Sequence, residues 1–296
     1  MLWTEKYRPK KVNEIIGQES FVKDATNWLL NNDMPNLLLY GQHGVGKTSA
    51  GIALSKEILK ADFSLNFLEL NASDDRKLET VRSKIKDFAS TVKLGNCPFK
   101  ICLLDEMDGM TNDAQNALKR IMEKYSKNVR FIITCNDQSK IIFPIQSRCA
   151  TYQFSKLTNK QIVMVLNKIL KIEKGEEVPT TVWLNHQHTF NGDLRKAITQ
   201  MQAGFNSVTE IIDPMFEEII NDSINNMCVL DKLHKLLSKG ISTKDICNGL
   251  HDVILENKYD REIKYKYLRI IGETEYRSST MTPRIIISWL ATQMTK

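Results

Sequence analysis

At 296 residues, with 42% hydrophobic and 26% charged side chains, the chain is long enough for two or three domains with a full core, and its make-up is that of an ordinary globular protein. A formal charge of +6 permits an anionic partner without requiring one. Six cysteines without a CxxC pair, and a lone close histidine pair at His186 and His188, argue against a zinc site, while "MLWTEKYRP" has no apolar segment and no run is long enough for a bilayer, which points to an intracellular chain with reduced thiols.

The first informative element is a short apolar run, Leu37 to Tyr40, that leads into "GQHGVGKT" and then into a helical pattern. Strand, loop and helix in that order are the context in which GxxxxGK[ST] holds phosphate. The backbone of Gly41, Gln42, His43, Gly44, Val45 and Gly46, continuing through Ser49, cradles the oxygens at a helix amino terminus. Lys47 reaches the outer phosphates and the Thr48 hydroxyl ligates magnesium. The bland alternative, a glycine-rich turn, would not need the flanking strand and helix.

Three further buried strands are predicted in "FLELNA" from Phe67, "KICLLDE" from Lys100 and "VRFIITCN" from Val129, separated by helices over Arg76 to Thr91 and Asp113 to Tyr125. This alternation is an α/β parallel sheet with crossover helices. Asp105 and Glu106 stand at the carboxyl end of a strand, where open parallel sheets place ligands. Asp105 would hold the metal and Glu106 would orient or deprotonate the attacking water. Without the phosphate loop, two solvated acids after a strand would explain them equally well. Asn136 ends another core strand, either as a turn residue or as a hand on the outer phosphate.

After "TYQF" the strand signals fade. Helical periodicity returns in "NKQIVMVLNKILKIE" and in "GDLRKAITQMQAGF", where Asp193 sits at a cap and Arg195 in the first turn, facing either solvent or an anion. From residue 207 a third, helical part begins. Ser242 stands three residues before Asp245 at a capping-box spacing, and Thr282 and Pro283 open the last helix.

"WTEKYRP", "IIGQ", the phosphate loop, "NASDDR", "LLDEMD", "QNALKRIMEKY", "FIITCN", "PIQSRC" and "GDLR", in this order, resemble the boxes of the small subunits of replication factor C. The likeness covers Trp3 to about Gly204, and the remaining third is compatible with it. It implies an AAA+ P-loop ATPase core, RecA-like, over 1–153, a helical lid over 154–206 and an all-α collar over 207–296 that joins subunits into a pentamer. It also implies ATP and Mg²⁺ as cofactors, with a ring-shaped sliding clamp, primer–template DNA and other clamp-loader subunits as partners, and no membrane. The compartment would be the nucleus if the source were eukaryotic.

By the same resemblance Thr4, Arg8 and Ile16 surround the adenine, Asn136 and Arg195 are the two sensors of the terminal phosphate, and Arg148 of "PIQSRC" is a finger that serves ATP on a neighbouring subunit. An arginine placed so accelerates phosphoryl transfer by about 10³–10⁵-fold, so turnover becomes conditional on assembly. Gln42 and His43 replace the small residues usual in the loop, and Thr4 a usual valine. Cys149 is expected only to pack.

The helix over "AQNALKRIMEKYSK" segregates Ala114, Leu118, Ile121, Met122 and Tyr125 from Arg120, Lys124 and Lys127. A second helix carries Arg82 and Lys86, with Arg76, Lys77 and Lys84 nearby. These are a solvated face or a surface that tracks phosphates without reading bases; the resemblance favours DNA along Arg76, Arg82, Lys86, Arg120 and Lys124. It places "FASTVKL" at the clamp. Two other functions stay open at this point: a nucleotide-binding scaffold that never turns over, and a different AAA+ DNA motor such as a branch-migration helicase.

Overall fold

The computed structural model describes residues 1–72, 78–175, 192–203 and 212–295. Five strands, β1 (Leu37–Tyr40), β2 (Phe67–Asn71), β3 (Lys100–Asp105), β4 (Val129–Cys135) and β5 (Ala150–Gln153), form one parallel sheet in the order β2-β3-β4-β1-β5. Because successive side chains of a strand point to opposite faces, the run in β1 feeds two cores at once. Leu37 and Leu39 pack with Phe21 and Ala25 of α2 (Glu19–Asn31) and Ile52 of α3 (Lys47–Leu59). Leu38 faces the other way, toward a cluster with Ile85 of α5 (Leu78–Ser90) and Leu118 and Met122 of α6 (Asn112–Lys124). Two short helices, α1 (Trp3–Lys6) and α4 (Phe63–Asn66), also belong to this unit.

One expectation needs correction. "FLELNA" does form a strand, but β2 lies at the sheet edge, where Phe67 and Leu68 are only half-buried and Glu69 is exposed. An edge strand has one neighbour, β3 here, so only part of its apolar surface finds cover.

α7 (Phe143–Gln146) follows β4, and α8 (Asn159–Lys174) and α9 (Leu194–Gln202) follow β5. Contacts along the backbone divide the chain into Met1–Ile162 with Gly192–Thr199, and Val163–Asn191 with Gln200–Lys296. The second unit contains α10 (Ile212–Ile224), α11 (Leu230–Ser238), α12 (Thr243–Glu256), α13 (Arg261–Arg277) and α14 (Pro283–Met294), packed through Ile219, Leu233, Leu250, Tyr267, Ile287 and Leu290. A buried serine links three of them: Ser223 Oγ lies 2.6 Å from Tyr267 Oη and donates to Met294 O at 2.5 Å. At the start of α12 the Ser242 hydroxyl accepts from Asp245 N at 3.1 Å, as its spacing predicts.

Candidate nucleotide site

The carboxyl ends of β1, β3 and β4 converge on the phosphate loop, and the strand order explains how. β4 lies between β1 and β3, so residues at its tip stand between the loop that follows β1 and the acids that end β3. Gly44 and Gly46 have φ of 73° and 95°, backbone that an L side chain rarely adopts. A Cβ on Gly44 would come within 1.9 Å of Asp193 Oδ1, so only glycine lets the cap of α9 close on the loop. That cap is real: Asp193 Oδ1 accepts from Lys196 N at 2.9 Å. α3 then starts at Lys47 with Gly46 before it and no side-chain cap, leaving its first N–H groups to an anion.

Lys47 is buried, and its ammonium donates to Gly41 O at 2.7 Å, Gln42 O at 2.8 Å and Asn136 Oδ1 at 3.0 Å. Burial pulls its pKa below that of an ordinary lysine; the negative charges of Asp105 and Asp108 oppose the shift, and the charge of Arg195 adds to it. Arg195, exposed in the first turn of α9, is therefore within electrostatic reach of the loop.

The acids are held by hydroxyls. Asp105 Oδ1 accepts from Thr48 Oγ1 at 2.8 Å and, in a short bond, from Thr134 Oγ1. Glu106 sits in left-handed backbone, φ 54°, with its N–H donating to Thr134 Oγ1 at 3.1 Å. The Thr48 hydroxyl beside the Asp105 carboxylate is a pair of hard oxygen donors of the kind magnesium takes. The Asn136 amide is oriented from both sides, its oxygen on Lys47 and its Nδ2 donating to Asp108 Oδ2 at 3.4 Å.

Among the three expected adenine-side residues, Arg8 reaches the loop helix directly, Nε donating to Ser49 Oγ at 3.0 Å. Thr4 in α1 and Ile16 ahead of α2 are half-buried. Arg148 does not join this cluster. Its Nη1 donates to Pro144 O at 2.6 Å and its Nη2 pairs with Glu123 on α6. Burial pushes the Cys149 thiol up to about 12, so at neutral pH it stays an uncharged packing group.

Basic residues gather in a second place. Lys86 of α5 and Arg120 and Lys124 of α6, all exposed, line a groove of about 390 Å³ with Ser83, Ala117, Ile121 and Tyr125. Arg76 lies outside the described residues, as does the side chain of Arg82; the same holds for His186 and His188.

Three polar residues that the sequence did not flag do structural work in this unit. Thr134 and Asp108 are described above. Gln115, fully buried, donates to Met110 O at 3.2 Å and Lys140 O at 2.9 Å and accepts from Ile142 N at 2.9 Å. It thereby ties the basic helix α6 to the segment that leads into α7 and Arg148. Its position three residues before Leu118 and seven before Met122 places it on the buried face by helical period alone.

Comparison with known proteins agrees with this geometry. Residues 37–157 match the model of the ATPase family associated with various cellular activities (AAA), and residues 208–282 match the replication factor C C-terminal domain. A replication factor C small subunit of Methanococcus maripaludis is 38% identical over 93% of this chain and 92% of its own length. Those of Thermofilum pendens and Saccharolobus solfataricus are 40% and 39% identical, over 93% and 94% of this chain and 90% and 88% of their own lengths. Among solved structures, the RuvB Holliday junction branch migration motor of Thermotoga maritima superposes with a TM-score of 0.57 at 15% identity, over 84% of this chain and 91% of that one, a likeness of fold alone.

Proposed function

The chain belongs to the replication factor C small subunits, and from that premise we propose how its residues serve a clamp-loader ATPase of DNA replication. The observation that carries the reading is that Lys47 and Thr48 of α3, Asp105 at the end of β3 and Asn136 just past β4 meet at the phosphate loop within hydrogen-bond distance.

Gly44, Val45, Gly46 and the N–H groups that open α3 hold the phosphates of ATP, and the Lys47 ammonium donates to the outer phosphate oxygens. Arg8, Thr4 and Ile16 border the base. Thr48 and Asp105 hold Mg²⁺, which when bound neutralises charge on the outer phosphates. Glu106 orients the attacking water, while Asn136 from the core and Arg195 from α9 contact the terminal phosphate. Arg148 acts on a neighbour: it is not bonded to its own loop, so its charge is offered across an interface between subunits, and the working form is an assembly, a pentamer by family likeness.

Domains divide functionally as 1–153, 154–206 and 207–296, for the ATPase core, lid and collar. The groove of Lys86, Arg120 and Lys124 tracks the phosphates of primer–template DNA, and the family likeness adds Arg76 and Arg82 to the DNA-binding residues. The segment after α5, where Val92 and Leu94 are largely exposed, meets the sliding clamp. No helix among the described residues is long and apolar enough to cross a membrane. The relatives named above come from archaea, so the proposed work is done inside the cell where DNA is copied, with no nucleus required.

The test is ATP hydrolysis and clamp loading by the complete assembly on primed circular DNA. Turnover that rises when clamp and primed DNA are both added supports the reading. An assembly that binds ATP and clamp yet never hydrolyses would replace it with the scaffold function, and directional unwinding of DNA would replace it with a motor.

A further inference from the structure

The hydroxyl of Thr134 is shared by two acids with different tasks. In the parallel register Leu104 of β3 pairs with Ile133 of β4, so the next step along both strands sets Asp105 beside Thr134. Thr134 is 1% exposed, which removes water as a competing partner. A hydroxyl has one proton and two lone pairs, and here each use is fixed. A backbone N–H can only donate, so Glu106 N donates to Thr134 Oγ1; the single proton of Thr134 then goes to Asp105 Oδ1.

We propose that Thr134 is a positioning residue for both acids, fixing the plane of the Asp105 carboxylate toward the metal and the left-handed backbone of Glu106 toward the attacking water. The inference rests on the roles given above to Asp105 and Glu106. Thr48 and Thr134 both donate to Oδ1, so the second oxygen of the carboxylate is left for other partners in a set orientation. Glu106 is one of four non-glycine residues with positive φ among the described residues, a conformation that persists only where surrounding bonds hold it. Removing the Thr134 hydroxyl would leave Asp105 Oδ1 to Thr48 alone, loosening the carboxylate, and would take from the Glu106 N–H the acceptor it has in Thr134. A valine has the same shape and keeps the strand, so packing is preserved while both bonds go. A serine keeps both bonds and loses only the methyl group.

The experiment titrates Mg²⁺ into the full-length chain with a fluorescent ADP analogue, comparing wild type with Thr134→Val, Thr134→Ala and Thr134→Ser, each checked for its thermal midpoint. Groups that orient metal ligands change metal affinity by about 10–100-fold, so Thr134→Val and Thr134→Ala should raise the Mg²⁺ midpoint by that factor. Nucleotide binding without Mg²⁺ should be unchanged, and Thr134→Ser should follow wild type. In the assembled complex the hydroxyl-free variants should lose kcat far more than they change KM. An unshifted Mg²⁺ midpoint in Thr134→Val, or a shift equally large in Thr134→Ser, overturns the proposal. If wild type itself tightens on nucleotide with no dependence on Mg²⁺, the assignment of Asp105 fails, and Thr134 falls with it.

Discussion

Asn136 Oδ1 accepts from Lys47 Nζ at 3.0 Å, joining the tip of β4 to the phosphate loop across 89 residues of sequence. Both groups are held by other protein groups as well: the amide by Asp108 on its other side, the ammonium by the carbonyls of Gly41 and Gln42. A donor held in place costs no reorganisation when charge develops, and loss of one such donor lowers turnover by about 10²–10³-fold. Asn136→Ala should therefore cut kcat by that factor while leaving the affinity for a fluorescent ATP analogue close to wild type. Lys47→Ala should abolish binding itself. Equal loss of affinity in both would make Asn136 part of the binding cradle and remove it from the chemistry.

Arg148 and Glu123 make the reverse arrangement, a cation held within its own subunit. The pair is solvent-accessible, with side chains 36% and 45% exposed, so the grip is weak by the measure of surface ion pairs, and in the proposed assembly a neighbour's ATP would displace it. Arg148→Ala should lower hydrolysis by about 10³–10⁵-fold in the assembly without loss of nucleotide affinity. Mixing it with Lys47→Ala should recover activity, because each subunit then supplies what the other lacks. Glu123→Gln should hydrolyse at least as fast as wild type once assembled. A mixture that stays inactive although assembly is intact would return Arg148 to its own subunit.

The groove between α5 and α6 makes a prediction in salt rather than in sequence. Each cation that neutralises a phosphate of duplex DNA contributes about 0.9 to the slope of log affinity against log salt. Replacing Lys86, Arg120 and Lys124 one at a time by alanine should flatten the slope by about that much per residue, alike on every primer–template tested. Substitutions that weaken binding on one sequence only, or leave the slope unaltered, would move the DNA elsewhere.

Much of the site was legible because its chemistry is contiguous in sequence. "GQHGVGKT" predicts its own turn, helix start and lysine, and "LLDE" carries its strand and its acids together. Asn136 was visible as a polar strand end. Thr134 was not, because a threonine inside "FIITCN" is a good strand residue by propensity, and its bond to Asp105 exists only through the pairing of β3 with β4. Gln115 sits among the helix formers of α6, and two of its three partners, Lys140 O and Ile142 N, come from a segment 25 and 27 residues further along the chain. The partial exposure of β2 was misjudged for a related reason. A run of apolar residues states that a strand wants cover, and the order of strands in the sheet decides how much it receives.

Lys100 offers a test of stability with a defined sign. It opens β3, is 2% exposed, and turns its ammonium onto the carboxyl end of α5, donating to Phe88 O at 2.6 Å, Thr91 O at 3.2 Å and Thr91 Oγ1 at 2.6 Å, with Nζ 4.3 Å from the centre of the Phe88 ring. A cation there satisfies the last carbonyls of a helix and favours its dipole. Lys100→Met strands those acceptors and should cost about 1–3 kcal/mol, lowering the thermal midpoint. Burial also pulls the Lys100 pKa below the ordinary 10.5. Below the lowered native value both folded and unfolded chains carry the proton, and the cost of burying the charge is present in full. Between that value and 10.5 the folded chain releases its proton first, so the unfolded chain binds more protons and wild-type stability gains relative to the variant. The difference in thermal midpoint between wild type and Lys100→Met should accordingly widen as the pH is raised from neutral toward 10.5. A difference that stays constant across that range would mean that the ammonium is as well solvated in the folded chain as in the unfolded one, and that its three bonds hold α5 without any desolvation to offset.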